Sequence, residues 1–481
     1  MMTMPHTGWT ARRRSEPVAA AGDSGLSLIA TLWIITVLFV LATEYLYVVH
    51  LEQRMSQNLV ERIQYEYVAK SAIAAFTRAI AADETTYDAA DEEWAQTQEG
   101  EMPDPQRSDS AFGYRLTASD ENARININTA DEATIRRLLE LTSADAEQQA
   151  ALPLAILQAR QAAQFRTVGD VARAEGMTAD ILYGSTQQDP NDPDAAQRQP
   201  LADLITVYSA DKNVTANSQS RTNIASADAS ALRQGIRGQG GAELLTQSEA
   251  DAIVTYRQQT AFASVAHLLD VPAVTQSVLD GARDRLSTQD EQDRVNVNTA
   301  DAQQLGQVNG FDQGTADDVV RHRQANGNYN SVDDIRNAKV FTRDELKAVV
   351  DQLTISGDSV LRGVVNLNTA PQEVLERLTG MDSGKAQAIV ARRSQSGQQP
   401  TGAPSGPTTT GQAFTSIGDL LDVPGMDENA FKQVANFVTY RTQVFRVKAE
   451  GLAPDGKALA RVEAVLDRSG QSIATRHWRS R

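Results

Sequence analysis

Apolar residues crowd the start of this chain and thin into periodic patterns after it. Leu26–Thr43 (LSLIATLWIITVLFVLAT) contains no charged side chain, and with Tyr45–Val49 it reaches the length of a bilayer span if Glu44 lies at the interface. No glycine or proline interrupts Leu26–Ile80, and Met55, Leu59, Ile63, Tyr67, Ile73, Phe76 and Ile80 recur at helical spacing. One helix of about 80 Å is therefore expected, apolar all round at first and amphipathic later, where it packs on a soluble domain.

Two stretches alternate with the period of a strand. Phe112–Ile127 alternates at Tyr114 and Leu116, turns at Ser119–Asn122 and alternates again at Ile125 and Ile127. Val444–Ala449 and Ala458–Leu466 alternate across a turn at Gly451–Gly456, which predicts a hairpin.

Between them the chain repeats itself. RININTADEATI (Arg124–Ile135), RTNIASADASAL (Arg221–Leu232), RVNVNTADAQQL (Arg294–Leu305) and VVNLNTAPQEVL (Val364–Leu375) start successive units; their first asparagines are Asn126, Asn223, Asn296 and Asn366. Each opening reads as a short strand and a helix start, capped by Asn128 or Thr129, Asn298 or Thr299, and Asn368 or Thr369. Thr129 with Glu132 and Thr369 with Gln372 read as capping boxes, and Pro371 suits a first turn. A second helix ends in an apolar residue and an arginine: Ile156–Arg160, Ile253–Arg257, Val319–Arg323 and Ile389–Arg393. A third helical start follows at Phe165, Phe262, Tyr329 and Phe414.

The chain has 481 residues, a formal charge of −17 and no cysteine, which excludes thiol chemistry, disulfides and cysteine-held metal. Its 5 histidines show no metal-ligand spacing, and no P-loop, nucleophile elbow or dinucleotide fingerprint occurs, so an enzyme is not expected. The acid pairs Glu92–Glu93 and Asp333–Asp334 read as solvated surface. Arg12, Arg13 and Arg14 before the apolar run, with an acidic remainder after it, place a short N-terminus on the cytoplasmic side.

The junction Gly25–Leu26, a small residue and basic leader directly before the apolar run, resembles the processing signal of type IV pilins and pseudopilins. Most of these carry a glutamate five residues into the mature chain. That position is Ala30 here, and its lack narrows the resemblance to the minor pseudopilin K family of type II secretion systems. The repeats resemble helix-hairpin-helix units, and NLNTAPQEVLERLTGMDSGKAQAIVARR (Asn366–Arg393) resembles them most closely.

This resemblance implies an α+β fold. A leader (1–25) precedes a transmembrane pilin-like helix (26–80) and the first part of a small antiparallel core (81–125). A large all-α repeat domain (126–440) is inserted before the closing hairpin (441–481). It implies cleavage after Gly25 by a prepilin peptidase, methylation of the Leu26 amine, and assembly through the helix carrying Leu26, Ala30 and Glu44. It further implies minor pseudopilins I and J and other type II secretion components as partners. The chain would cross the bacterial inner membrane once, with its bulk in the periplasm, and act in a non-enzymatic pseudopilus tip that supports protein export.

No cofactor is expected. Some relatives bind calcium, but no ligands can be assigned, and the aspartates of Gln187–Gln199 do not match an EF-hand. The alternative is a membrane-tethered DNA-binding protein of competence or type IV pilus systems. Against it, the hairpins lack the paired glycines that let a phosphate approach backbone amides: Asp382 and Asp312 follow Gly380 and Gly310, while LELTSAD and LLTQSEA have none.

Overall fold

The computed structural model describes residues 24–104, 107–184, 198–215, 217–275, 278–279, 286–287, 294–308, 310–394 and 412–480. Residues 1–23, most of the Gln187–Gln199 loop and residues 395–411 lie outside them. The chain divides into two compact units, Met1–Tyr65 and Glu66–Arg481.

Helix α1, Ser24–Ala81, is continuous, as a run without helix breakers requires. In the first unit its residues from Leu28 to Ile63 are exposed. Among the described residues it is the one helix long and apolar enough to cross a membrane.

In the second unit the end of α1 lies on a five-stranded antiparallel sheet. Its strands are β1 (Gln98–Asp104), β2 (Arg107–Asp120), β3 (Val444–Leu452), β4 (Ala458–Asp467) and β5 (Ala474–Ser480), in that spatial order. Ala69, Ala72, Ile73, Phe76 and Ile80 meet Leu116, Phe445, Val447, Ala449, Val462, Ala464 and Leu466, the alternate residues of three strands. Phe445 is held edge-on by Phe76 and Trp94, at 5.9 and 5.1 Å between ring centroids. The expected stripe is only half realised: Ile73, Phe76 and Ile80 are buried, whereas Met55, Leu59, Ile63 and Tyr67 are exposed.

The β3–β4 hairpin forms where the alternation places it. The alternation read across the turn at Ser119–Asn122 does not give a paired second strand. Strand β2 ends at Asp120, and Ile125–Asn126 instead pairs in parallel with Ile205–Thr206. Neither β1 (QEGEMPD) nor β5 (ATRHWRS) shows an apolar alternation, because both are edge strands.

The helical domain is thus inserted between β2 and β3, which are neighbours in one sheet. Copies one and four each run through an opening strand, two α-helices, a short 3-10 helix, further short helices and a closing strand. In copies one and four the opening strand pairs with its own closing strand: Ile125–Asn126 with Ile205–Thr206, and Val365–Asn366 with Val438–Thr439. Copies two and three exchange theirs. Thr222–Asn223 pairs with Leu353–Thr354, and Val295–Asn296 with Leu286–Ser287. The segments cross at an antiparallel bridge between Pro272 and Lys339, with Ala273 N–H donating to Ala338 O (2.8 Å) and Val340 N–H to Val271 O (3.0 Å).

The core records the same exchange. Val274, Leu279 and Leu286 pack with Val297, Leu305, Phe311 and Val319 of copy three. Val340, Phe341, Leu346, Val349 and Leu353 join the cluster that holds Ile224, Leu232 and Ile253 of copy two. The overall class is α+β, as the hydrophobic pattern and the family resemblance imply.

Candidate functional site: assembly helix, repeat clasps and hairpins

Gly25 and Leu26 lie in the first turn of α1, with side chains outside the described set; Ala30 and Glu44 are exposed on the same helix.

The repeat asparagines do not cap their helices, which start later than expected. The first helix of copy one begins at Glu132, and Asp131 accepts the Thr134 amide (2.7 Å). Asp228 and Asp301 do the same in copies two and three. In copy four Pro371 stands at the cap with no side-chain bond, so the boxes read at Thr129–Glu132 and Thr369–Gln372 are not formed. Thr129 bonds back to Asn126 O, and the Thr299 amide donates to Asn296 O. The cause is local: the first asparagine of each motif folds the chain into an Asx turn before the helix can start. Asn126, Asn223, Asn296 and Asn366 each accept, at 2.9 Å, the amide two residues on.

The second asparagine does something else. Asn128 clasps the backbone of Phe165, its Nδ2 donating to the carbonyl (2.9 Å) and its Oδ1 accepting the amide (3.0 Å). Asn298 clasps Tyr329 and Asn368 clasps Phe414 in the same way. Each clasp ties the helix-start loop to the third helical start. Copy two has Ala225 in this position and makes none.

The arginine ending the second helix completes the unit. Arg160 donates to Ile127 O and Ala130 O, Arg257 to Ile224 O and Ala227 O, Arg323 to Val297 O and Ala300 O, and Arg393 to Leu367 O and Ala370 O, all at 2.5–2.9 Å. A guanidinium fork matches two carbonyls across a turn, which an ammonium would not. These arginines are structural.

The hairpins bear on nucleic-acid binding. A phosphate would need the free amides at the start of each second helix. One of them is already taken at each helix: Asp145 accepts Gln148 N, Asp312 accepts Thr315 N, Asp382 accepts Lys385 N and Thr246 accepts the Glu249 amide, and three of the four acceptors are carboxylates that would repel a phosphate. Lys385 also pairs with Asp382, and its hydrogen bond holds that carboxyl below the usual range. Gly310 and Gly380 keep positive φ (94° and 86°). Copy two departs from the expectation of a glycine-free hairpin, since Gly240 and Gly241 lie between its helices with φ of 71° and 79°.

A buried polar network joins copy four to the sheet, and no pattern in the sequence pointed to it. Asp120, at the end of β2, accepts Thr442 Oγ1 (2.7 Å), Thr369 Oγ1 (2.6 Å), Asn366 Nδ2 (3.0 Å) and the Asn122 amide (2.7 Å). Asp88 takes the Thr442 amide (2.7 Å) and the Arg468 guanidinium (2.6 Å), which also reaches Asp83 (2.9 Å). Burial pushes the Asp88 carboxyl up to about 7 and that of Asp120 up to about 6. Glu121 receives Thr206, Arg124 and Arg446.

A second buried acid cluster lies within the exchanged copies, where Arg321 meets Glu249, Asp318 and Glu345. Burial first, and then the Glu249 charge, push Asp318 up. Among the described residues no cluster of His, Asp and Glu is placed to hold a metal ion. Glu92 is a structural acceptor for Ala89 N and Trp94 Nε1, and Asp334 caps Ser331.

Two family models match this region. Residues 290–354 match the helix-hairpin-helix motif, and residues 365–438 match type II secretion system (T2SS), protein K. ComE operon protein 1 of Bacillus subtilis (strain 168) is 27% identical over 88 residues, 18% of this chain. The match spans 36% of that relative's length. The crystal structure of the GspK-GspI-GspJ complex from the enterotoxigenic Escherichia coli type 2 secretion system aligns at 12% identity and a TM-score of 0.31. The alignment covers 89% of this chain and 98% of the solved one. The stretch containing copy three thus matches the helix-hairpin-helix motif, and copy four matches the type II secretion protein K model.

Proposed function

We propose that this chain is a minor pseudopilin of the protein K kind, a non-enzymatic subunit of a type II secretion pseudopilus. The observation that carries this reading is the protein K match over residues 365–438. It covers the repeat whose Asn366 and Thr369 are bonded to Asp120, the last residue of β2, and Thr442, two residues before β3.

On this reading residues 1–25 are a leader removed by a prepilin peptidase, which methylates the new amine of Leu26. Residues 26–80 anchor the subunit in the inner membrane and enter the filament, and the rest occupies the periplasm. Segments 81–125 and 441–481 form the pilin-like core around the 126–440 insertion. Minor pseudopilins I and J are the partners, and the complex sits at the filament tip to support assembly and export. Ala30 fits a tip, since a subunit with none above it has no incoming amine to neutralise.

Replacing Gly25 with Phe tests the assignment in a secreting strain. Unprocessed chain and lost secretion are expected; normal processing and secretion would sink it. The helix-hairpin-helix match supports a second reading, a tethered DNA-binding protein. The capped hairpin amides and the −17 charge oppose it. Retardation of duplex DNA by the purified chain, weakening with salt, would favour that reading instead.

A further inference from the structure

A cleft of about 640 Å³ opens where the connector Ser356–Gly363 runs between copies three and four, against copy two. This is the size of a ligand site, and its lining is mixed. Val265, Leu353, Ile355, Val360 and Ile417 supply apolar wall, and Arg221 supplies a cation.

Arg221 is the informative residue. It opens copy two as Arg124 opens copy one, yet the two side chains differ in use. Arg124 is spent on its own chain, through Glu121 Oε1 (3.1 Å) and Asp203 O (3.0 Å). The Nε and Nη2 of Arg221 are buried and have no hydrogen-bond partner. A buried donor left unpaired costs about 1–3 kcal/mol, more for a charged group, so such a group points to a missing acceptor. Asp351 is the nearby acid: burial pushes its carboxyl up and the Arg221 charge pulls it back, but it accepts the Ile417 amide (3.3 Å), and no hydrogen bond joins it to the Nε or Nη2 of Arg221. Arg362 adds a second, exposed cation at the cleft.

We propose that this cleft binds an extended polypeptide segment in which an Asp or Glu side chain, flanked by apolar residues, pairs with Arg221. The half-apolar wall disfavours a free inorganic anion, and the acidity of the chain disfavours nucleic acid. The inference is independent of the secretion assignment, because it is read on purified chain with no export step; either can fail alone.

The test uses the full chain in detergent micelles. The probes are fluorescein-labelled, amidated pentapeptides with a central Glu and flanks drawn from Ala, Val, Leu and Ile, beside the same library with central Gln. Saturable binding of the Glu library is expected, weakened about tenfold or more in the Gln library, as loss of a charge-assisted bond predicts. R221Q should erase that preference and R362Q should keep most of it. Leu361→Trp retains the guanidinium but fills the cleft, so it should lose binding even if R221Q misfolds. Equal binding of both libraries, or a preference that survives R221Q or Leu361→Trp, would overturn the proposal. Tighter binding of a Gln library with a free C-terminus would also overturn it, by assigning Arg221 to a terminal carboxylate. Self-association abolished by R221Q would do so too, by placing a second copy in the cleft.

Discussion

Replacing Arg393 with Met keeps an unbranched apolar stem and removes the guanidinium fork. In the folded chain the guanidinium donates at 2.5 Å to Leu367 O and to Ala370 O, on two residues with no solvent exposure. Hydrogen bonds from a charged donor contribute about 1.5–3 kcal/mol each, and each orphaned buried carbonyl costs a similar amount. Against this, the wild-type guanidinium is itself expensive to bury, which is why its affinity for its proton is pushed down to about 10. Removing a buried charge returns part of the loss. The net expectation is a destabilisation of about 3 kcal/mol. Arg136→Met is the control, because Arg136 makes an exposed pair with Glu132 four residues away and should lose about 0.5 kcal/mol or less. Urea unfolding of the full chain in detergent, followed by near-UV circular dichroism, reads both. Hydrogen exchange at Thr369 and Ala370, whose amides bond to Asn366 O, should accelerate in the Met variant alone. A loss below about 1 kcal/mol at Arg393, or equal losses at both sites, would refute the clamp.

Ala225→Asn should install the missing clasp on Phe262 and stabilise copy two by about 1 kcal/mol in the same assay; a loss of stability would show that copy two's loop differs from the others. Gly380→Ala should destabilise, since φ is 86° and a Cβ would lie 2.8 Å from Ala430 O; an unchanged midpoint would deny the strain. Asp88 and Asp120 are held above their unfolded value, so the native state keeps their protons longer. Their contribution is full below about pH 4 and falls as pH rises through 6 to 7. Asp88→Asn should flatten that slope in a pH series of thermal midpoints, and an unaltered slope would contradict the burial argument. Asp318 is raised likewise, so D318N should resist alkaline unfolding better than wild type; equal alkaline midpoints would count against the Glu249–Asp318 pairing.

Local chemistry could be read from the chain and long-range pairing could not. The N-x-N-T-A motifs and the Ile156–Arg160 type of ending marked the repeat units, because an Asx turn and a guanidinium fork need those residue types at that spacing. The helix caps lie two or three residues beyond the expected positions, since Asp131 and Asp301 take the cap in place of Asn128 or Thr129 and Asn298 or Thr299, and the Asx turn decides between them. Strands β1 and β5 escaped notice because edge strands carry charge in place of apolar alternation. The exchange between copies two and three has no sequence signal, since Thr222–Asn223 offers the same edge to either closing strand. Asp88, Asp120 and Arg468 are far apart in sequence and meet only once β2, copy four and β4 are in place. The proposed processing and assembly residues, Gly25, Leu26, Ala30 and Glu44, are legible only through family resemblance.

The central claim concerns the N-terminus, and intact-mass analysis of the chain purified from the membranes of its own cells tests it most directly. The account predicts a mass lacking residues 1–25 and carrying one added methyl group, placed on the Leu26 amine by fragmentation. A chain that retains Gly25, or is cut at another bond, would contradict it.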